Sequence, residues 1–265
     1  MISSRAYLLV FHGSRDSRTL AAAAQLKQLL LTIKFKNILT QQNYLEANLP
    51  NYEHKVSDTV SLLETTHLVD IAALELSSKS LSESLIDFAR QASSRRIKQI
   101  KVIPLFLAPG IHVMQDIPTE IDLALKQLDR STTIELSCYL GKYSGIVPLL
   151  SDKFLQLSGE ARVLIAHGSR LSMADSYYQN LATKLDADLA YWSVEPKIAS
   201  VVEAQIDSGK KKITILPYFL FPGRITSAIA SEIAQLQKQY PQVELNLGEP
   251  LGATEDLARL IAESV

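Results

Sequence analysis

Short runs of consecutive apolar residues alternate along this chain with longer segments whose apolar positions recur every three or four residues. The first kind reads as strands buried on both faces, the second as helices that cover them. In the first half, strands are predicted at about 5–11, 68–75, 99–107 and 132–138, with helices at about 17–33, 80–93 and 116–129. In the second half, strands are predicted near 161–166, 188–193, 211–219 and 242–247, with helices between them. Such alternation is the pattern of βαβ units, so each half is expected to form a small, doubly wound parallel sheet of the α/β class with helices on both faces. The longest apolar stretch, Val102 to Pro109, contains two prolines and is far too short to span a bilayer.

The pattern repeats. Tyr7-Leu-Leu-Val-Phe-His12-Gly13-Ser14-Arg15 returns as Val163-Leu-Ile-Ala-His167-Gly168-Ser169-Arg170, and Ile103-Pro-Leu-Phe-Leu-Ala-Pro-Gly110 returns as Leu216-Pro-Tyr-Phe-Leu-Phe-Pro-Gly223. The tails agree as well, with Ile134-Glu-Leu-Ser matching Val243-Glu-Leu-Asn. Matches in the same order, each at the end of an apolar run, indicate two homologous units, 1–157 and 158–265. Ser144 to Leu157 has helical spacing and is expected to close the first unit. The halves differ mainly within 35–66, which reads as an insertion with a helix from Ser57 to Thr65.

Composition narrows the partners. The 265 residues are 47% hydrophobic and 21% charged, enough to build real cores, and the net charge of −1 supplies no global field for nucleic acid. The single cysteine, Cys138, makes no internal disulfide and leaves no Cys-x-x-Cys site, which fits a reducing, cytoplasmic setting. The apolar run near the N-terminus, Ala6 to Phe11, is too short for a signal-peptide core, so no membrane association is expected.

In open parallel sheets the ligand site lies beyond the carboxyl ends of the strands. His12 closes the first strand, Glu75 the second, and His112 follows the third by way of Pro109-Gly110. Two imidazoles and a carboxylate on adjacent strand ends suit a divalent transition metal, and a neutral imidazole also accepts protons. Glycine is scarce, with 10 in the chain, yet Gly13, Gly110, Gly168 and Gly223 all fall in the repeated motifs where the backbone must turn. Aligning the halves puts Ile225 opposite His112, Arg224 opposite Ile111 and Trp192 opposite Glu75, so the second half keeps only His167 of the three. One site, in the first half, is therefore expected. His54 and His67 read as structural, Ser14 and Ser169 lack a nucleophile-elbow pattern, and Ser208-Gly-Lys-Lys lacks the upstream glycine of a phosphate loop.

These residues resemble the sirohydrochlorin chelatases, the class II chelatases of siroheme and cobalamin synthesis, in their long two-domain form. The likeness rests on His12-Gly-Ser-Arg15, Leu74-Glu75-Leu76, Pro104-Leu-Phe-Leu107 with Gly110 and His112, and Asp116-Ile-Pro118. Tyr191-Trp-Ser-Val194 and Leu216-Pro-Tyr-Phe-Leu220 look like the long form found in cyanobacteria. The resemblance implies two flavodoxin-like chelatase domains, the second degenerate, and a lyase that inserts Fe2+ or Co2+ into sirohydrochlorin without a tightly bound cofactor. Iron is the expected ion, siroheme being the commoner need; a cobaltochelatase, or a carrier of tetrapyrrole or metal without turnover, are the alternatives. His12 and His112 would bind metal and accept protons, with Glu75 as the acidic partner, unless the long 34–66 stretch places another acid such as Glu46 there. Ser14, Arg15, Gly110, Arg170 and Arg224 are expected to hold the carboxylate-rich substrate. A fused pair of domains implies a monomer or weak homodimer.

Overall fold

The computed structural model describes residues 5–48, 67–169 and 171–265, and side chains at 34–48 and 67 are outside that description. The helix expected from Ser57 to Thr65, together with His54 and Arg170, lies outside the described residues, as does the Glu46 side chain. The first unit runs β1 (Arg5–Phe11), α1 (Ser17–Asn48), β2 (His67–Ala73), α2 (Leu81–Ser94), β3 (Gln99–Pro104), a π-helical turn (His112–Asp116), α3 (Ile117–Leu125), β4 (Thr133–Leu136) and α4 (Ile146–Leu157). The second runs β5 (Ala161–Ala166), α5 (Ser172–Lys184), β6 (Asp188–Tyr191), α6 (Ile198–Asp207), β7 (Lys212–Pro217), α7 (Arg224–Gln239), β8 (Glu244–Leu247) and α8 (Glu255–Ser264).

Each unit forms a 4-stranded parallel sheet, ordered β2-β1-β3-β4 and β6-β5-β7-β8. Strand β1 pairs Leu9 with Ile71 on one side and Ile103 on the other, so it is central and apolar on both faces. Its alternation sorts the cores: Ala6, Leu8 and Val10 face an outer layer with α2 and α3, while Tyr7, Leu9 and Phe11 face a layer between the sheets. In β5, Val163 and Ile165 face outward with α6 and α7, and Leu164 and Ala166 face the shared layer. That middle layer is one continuous core drawn from both units.

Two elements depart from the expected layout. Helix α1 does not stop at 33 but runs to Asn48, because no glycine or proline interrupts it before Pro50. Its length was masked by analogy with the shorter second half, where α5 has only 13 residues. Helix α4, expected to close the first unit, packs instead on the second sheet. Leu157 lies against Gly248, the Leu157 carbonyl accepts from Asn246 Nδ2, and the Lys153 ammonium donates to the Pro250 carbonyl. In return α8 lies along α1, with Leu257, Ala258, Ile261 and Ala262 buried in the shared core and Gln25 donating to the Ala253 carbonyl. The helices are exchanged between units.

The middle layer also holds a tyrosine cluster. The Tyr177 and Tyr218 hydroxyls lie 2.7 Å apart, with the Gly141 and Leu107 carbonyls 2.8 and 3.0 Å from them as acceptors, and these contacts tie the second unit to the first. Burial pushes the phenols of Tyr177, Tyr178 and Tyr218 up, that of Tyr178 to about 12 from 10.0. The unfolded chain loses the Tyr178 proton earlier, so the stability this phenol carries is present below about pH 10 and is lost as the pH rises through about 12. Thermal melts across this window should fall steeply; a melting temperature that stays flat from about pH 10 to 12 contradicts this. Among the described residues, no helix is long and apolar enough to cross a membrane.

Candidate metal and tetrapyrrole site

At the carboxyl end of the first sheet, three side chains converge. The Leu74 and Glu75 amides donate to the Phe11 and His12 carbonyls at 2.8 and 2.9 Å, so the strand pairing carries past β2 and delivers Glu75 beside His12. Gly13 makes the close approach possible: its φ is +101°, and a Cβ there would stand 2.0 Å from the Glu75 carbonyl oxygen. His112 opens the π-helical turn, where the Ile117 amide reaches back to the His112 carbonyl. It thus sits on a helical turn just beyond Pro109-Gly110. Such π-turns recur at functional sites because they reorient one side chain out of helical register.

His12 Nε2 lies 3.8 Å from one Glu75 oxygen and His112 Nδ1 3.9 Å from the other. The imidazole rings stand edge to face at 4.9 Å. One donor atom from each residue falls within 4.8 Å of the others, a spacing that lets the three share one cation. The group is open to solvent, with the side chains of His12, Glu75 and His112 52%, 48% and 33% exposed. Coordination positions therefore remain available to a second reactant.

Hydrogen bonds fix how the imidazoles are presented. His12 Nδ1 lies 3.3 Å from the Gly13 carbonyl and His112 Nδ1 2.7 Å from Asp116 Oδ2. Each contact assigns the Nδ1 proton as donor and frees the Nε2 lone pair. The motif Asp116-Ile-Pro118 assigns Asp116 no role at the site, and the structure places it directly behind His112. The only signal is the four-residue spacing, which puts two residues on one face once the turn between them is helical.

Beside the triad, a cleft of about 630 Å³ opens between the two units. His12, Ser14, Arg15 and Leu76 line it from the first, His167, Phe219, Phe221 and Arg224 from the second. Of the residues expected to bind substrate, Ser14, Arg15 and Arg224 border the cleft, whereas Gly110 does not. Gly110 has open space around its Cα and serves the turn into His112. Ser14 also staples its own loop, accepting from the Asp16 amide at 3.0 Å, as Ser169 does from Leu171. Among the described residues, Arg15 and Arg224 have no carboxylate within ion-pair distance, although the Arg224 charge helps hold the Asp16 carboxyl of the same cleft down.

A latch that the sequence did not reveal closes the cleft floor. Arg18 makes a forked pair with Asp16 and donates to Ser227 Oγ at 2.9 Å across the units, and Thr19 donates to the Pro222 carbonyl at 3.3 Å. The Arg18 guanidinium holds the Asp16 carboxyl down at about 2.

In the second half, backbone pairing corrects the alignment by one residue. The Ser193 amide, not that of Trp192, donates to the His167 carbonyl, so Ser193 stands where Glu75 does. Ile225 stands where His112 does, since Ser227 donates to Gly223 as Met114 donates to Gly110. The second rim has one imidazole and lacks the acid and its partner histidine.

Comparison with known proteins agrees with this architecture. A curated sirohydrochlorin cobaltochelatase of Priestia megaterium is 24% identical over 213 residues, covering 74% of this chain and 68% of that protein. A curated sirohydrochlorin ferrochelatase of the same organism is also 24% identical over 213 residues, covering 74% of this chain and 76% of that protein. The crystallised SirB of Bacillus subtilis, solved with Fe3+, superimposes with a TM-score of 0.69 at 20% identity over 98% of this chain and 94% of that one, and so shares the fold. The CbiX family model matches residues 47–157 and again 161–265. The first match begins after His12, so that residue's place in the site rests on geometry. With both units matched in turn, the chain belongs to the CbiX family.

Proposed function

We propose that this chain is a sirohydrochlorin chelatase that inserts Fe2+ into the macrocycle, the last metal-loading step toward siroheme. The convergence of His12, Glu75 and His112 beside an interdomain cleft carries this reading. Their shared spacing fits one divalent ion held by few ligands, loosely enough to be passed on. The cleft supplies a second binding place beside it, so that ion and ring meet as neighbours; well-oriented reactants of this kind gain up to about 7–11 kcal/mol over free encounter. Arg15 and Arg224 meet substrate carboxylates from opposite walls, and Ser14 adds a hydroxyl. The relatives quoted above are named for both iron and cobalt, and both ions suit this donor set.

The test mixes the protein with sirohydrochlorin and Fe2+ under anaerobic conditions and follows the macrocycle's absorption. Many equivalents of metallated product per protein are expected; a single equivalent identifies a carrier and overturns the enzyme. With Fe2+ and Co2+ competing at equal, buffered free concentrations, the iron product should dominate. Cobalt dominance makes the chain a cobaltochelatase.

Asp116 enters as a positioning residue for His112. Asp116→Asn should weaken metal affinity or insertion by about 10–100-fold, the usual cost of losing a carboxylate behind a metal-binding histidine. Titration with Co2+, read by its absorption spectrum, checks this; an unchanged isotherm and rate contradict it.

A further inference from the structure

Metal insertion asks for more than the triad supplies. A divalent ion displaces two protons from ring nitrogens, and each must pass to an acceptor whose lone pair is free while the ion is held. At His12 and His112 the Nδ1 atoms are engaged by Gly13 and Asp116, so each ring keeps only its Nε2 lone pair, which binding the ion would occupy. A base on the far side of a flat ring escapes this conflict, because protons can leave one face as the metal approaches the other.

The second rim offers such a base. His167 ends β5 as His12 ends β1, and both line the same cleft, each from its own unit. His167 Nδ1 lies 3.0 Å from the Gly168 carbonyl and donates to it, which leaves the Nε2 lone pair. Its ring is 6.5 Å from Phe219, much as His12 is 6.4 Å from Phe106, so the repeated frame holds both imidazoles alike. What differs is the company: Ser193 replaces the acid and donates its hydroxyl to the His167 carbonyl at 2.8 Å, and Ile225 replaces the second histidine. A lone imidazole is a weak trap for a cation, and with its Nε2 lone pair free it can accept a proton. Phe219 and Phe221 give the same wall an apolar face suited to a flat ring.

We propose that His167 is the catalytic base that takes the pyrrole protons from the face of the macrocycle opposite the ion, so that the degenerate rim serves deprotonation while the intact rim serves metal delivery. This rests on the chelatase reading above. In each step a ring N–H bond breaks, the proton passes to His167 Nε2, and the electron pair stays on the nitrogen and becomes its bond to the metal. The imidazolium then yields its proton to water at the cleft mouth and is ready for the second. Neither oxidant nor reductant is required, and the metal keeps its charge.

The experiment uses the full chain carrying His167→Gln or His167→Phe, with sirohydrochlorin and Fe2+. Three quantities are measured: macrocycle affinity by fluorescence, Co2+ binding at the triad by absorption, and kcat for insertion. We expect kcat to fall by about a hundredfold or more in both variants. Macrocycle affinity and the Co2+ spectrum should stay unchanged, and added imidazole should restore part of the rate of His167→Gln. Insertion within about twofold of the unaltered protein in both variants overturns the inference alone, as does a loss confined to KM, which would make His167 only a wall contact. No insertion by the unaltered protein overturns the chelatase reading and this inference with it.

Discussion

Replacing His12 or His112 by alanine should abolish metal insertion while leaving the protein folded. Each imidazole supplies one of three donors that lie within 4.8 Å of one another, and the two that remain cannot close around an ion in the same way. A loss of at least about a hundredfold in turnover is expected for each, within the range found when a positioned imidazole is removed. The fold should not notice. Both side chains are substantially open to solvent, and substitutions at such places usually change stability by no more than about 0.5 kcal/mol. Single-turnover absorption with Fe2+ measures the first effect and thermal melting the second. Full activity in either variant would remove that histidine from the site, and a collapsed melting transition would show it to be structural instead.

Gly13→Ala should be the most damaging single-methyl change at the rim. A Cβ there would sit 2.0 Å from the Glu75 carbonyl oxygen and 2.9 Å from its carbon, and the backbone φ of +101° disfavours any L side chain. The obstruction is main chain from the neighbouring strand, which cannot swing aside as a flexible side chain can. Relief requires the His12 and Glu75 segments to part, breaking the amide bond between them and spreading the donors. We expect a destabilisation of about 1–3 kcal/mol together with a severe loss of metal binding. Gly110→Ala is the matched control, since nothing stands within 4 Å of a Cβ at that position, and it should be nearly silent. Denaturant titration and Co2+ binding on both variants decide the matter; equal behaviour of the two refutes the steric account.

Much of this site was legible because strand ends are marked twice over. An apolar run breaking into His-Gly announces both the end of β1 and a tight turn, and its return at His167 fixes the equivalence of the halves. Pro104 and Pro217 then carry the comparison to His112 and Ile225, which the backbone pairing upholds. The second strand has no such marker, and aligning by sequence alone sets Trp192 opposite Glu75, one residue from Ser193. The far end of helix α1 is not legible because nothing in a polar stretch such as Gln41-Gln42-Asn43 distinguishes helix from loop until Pro50. The Arg18–Ser227 contact joins residues 209 positions apart on different units and has no local signature at all. The side chain of Asp116 was in view, but its bond to His112 depends on a π-turn that no periodicity announces.

The crossing of α4 onto the second sheet, and of α8 onto α1, bears on how such a protein can change over time. Severing the chain after Leu157 would give one fragment a greasy helix with no surface to cover and leave its neighbour's sheet bare. Neither lobe can then be shed or borrowed as a self-sufficient module. The copy whose rim keeps a single imidazole must persist as scaffolding for its sibling, free to acquire new duties there but never free to leave.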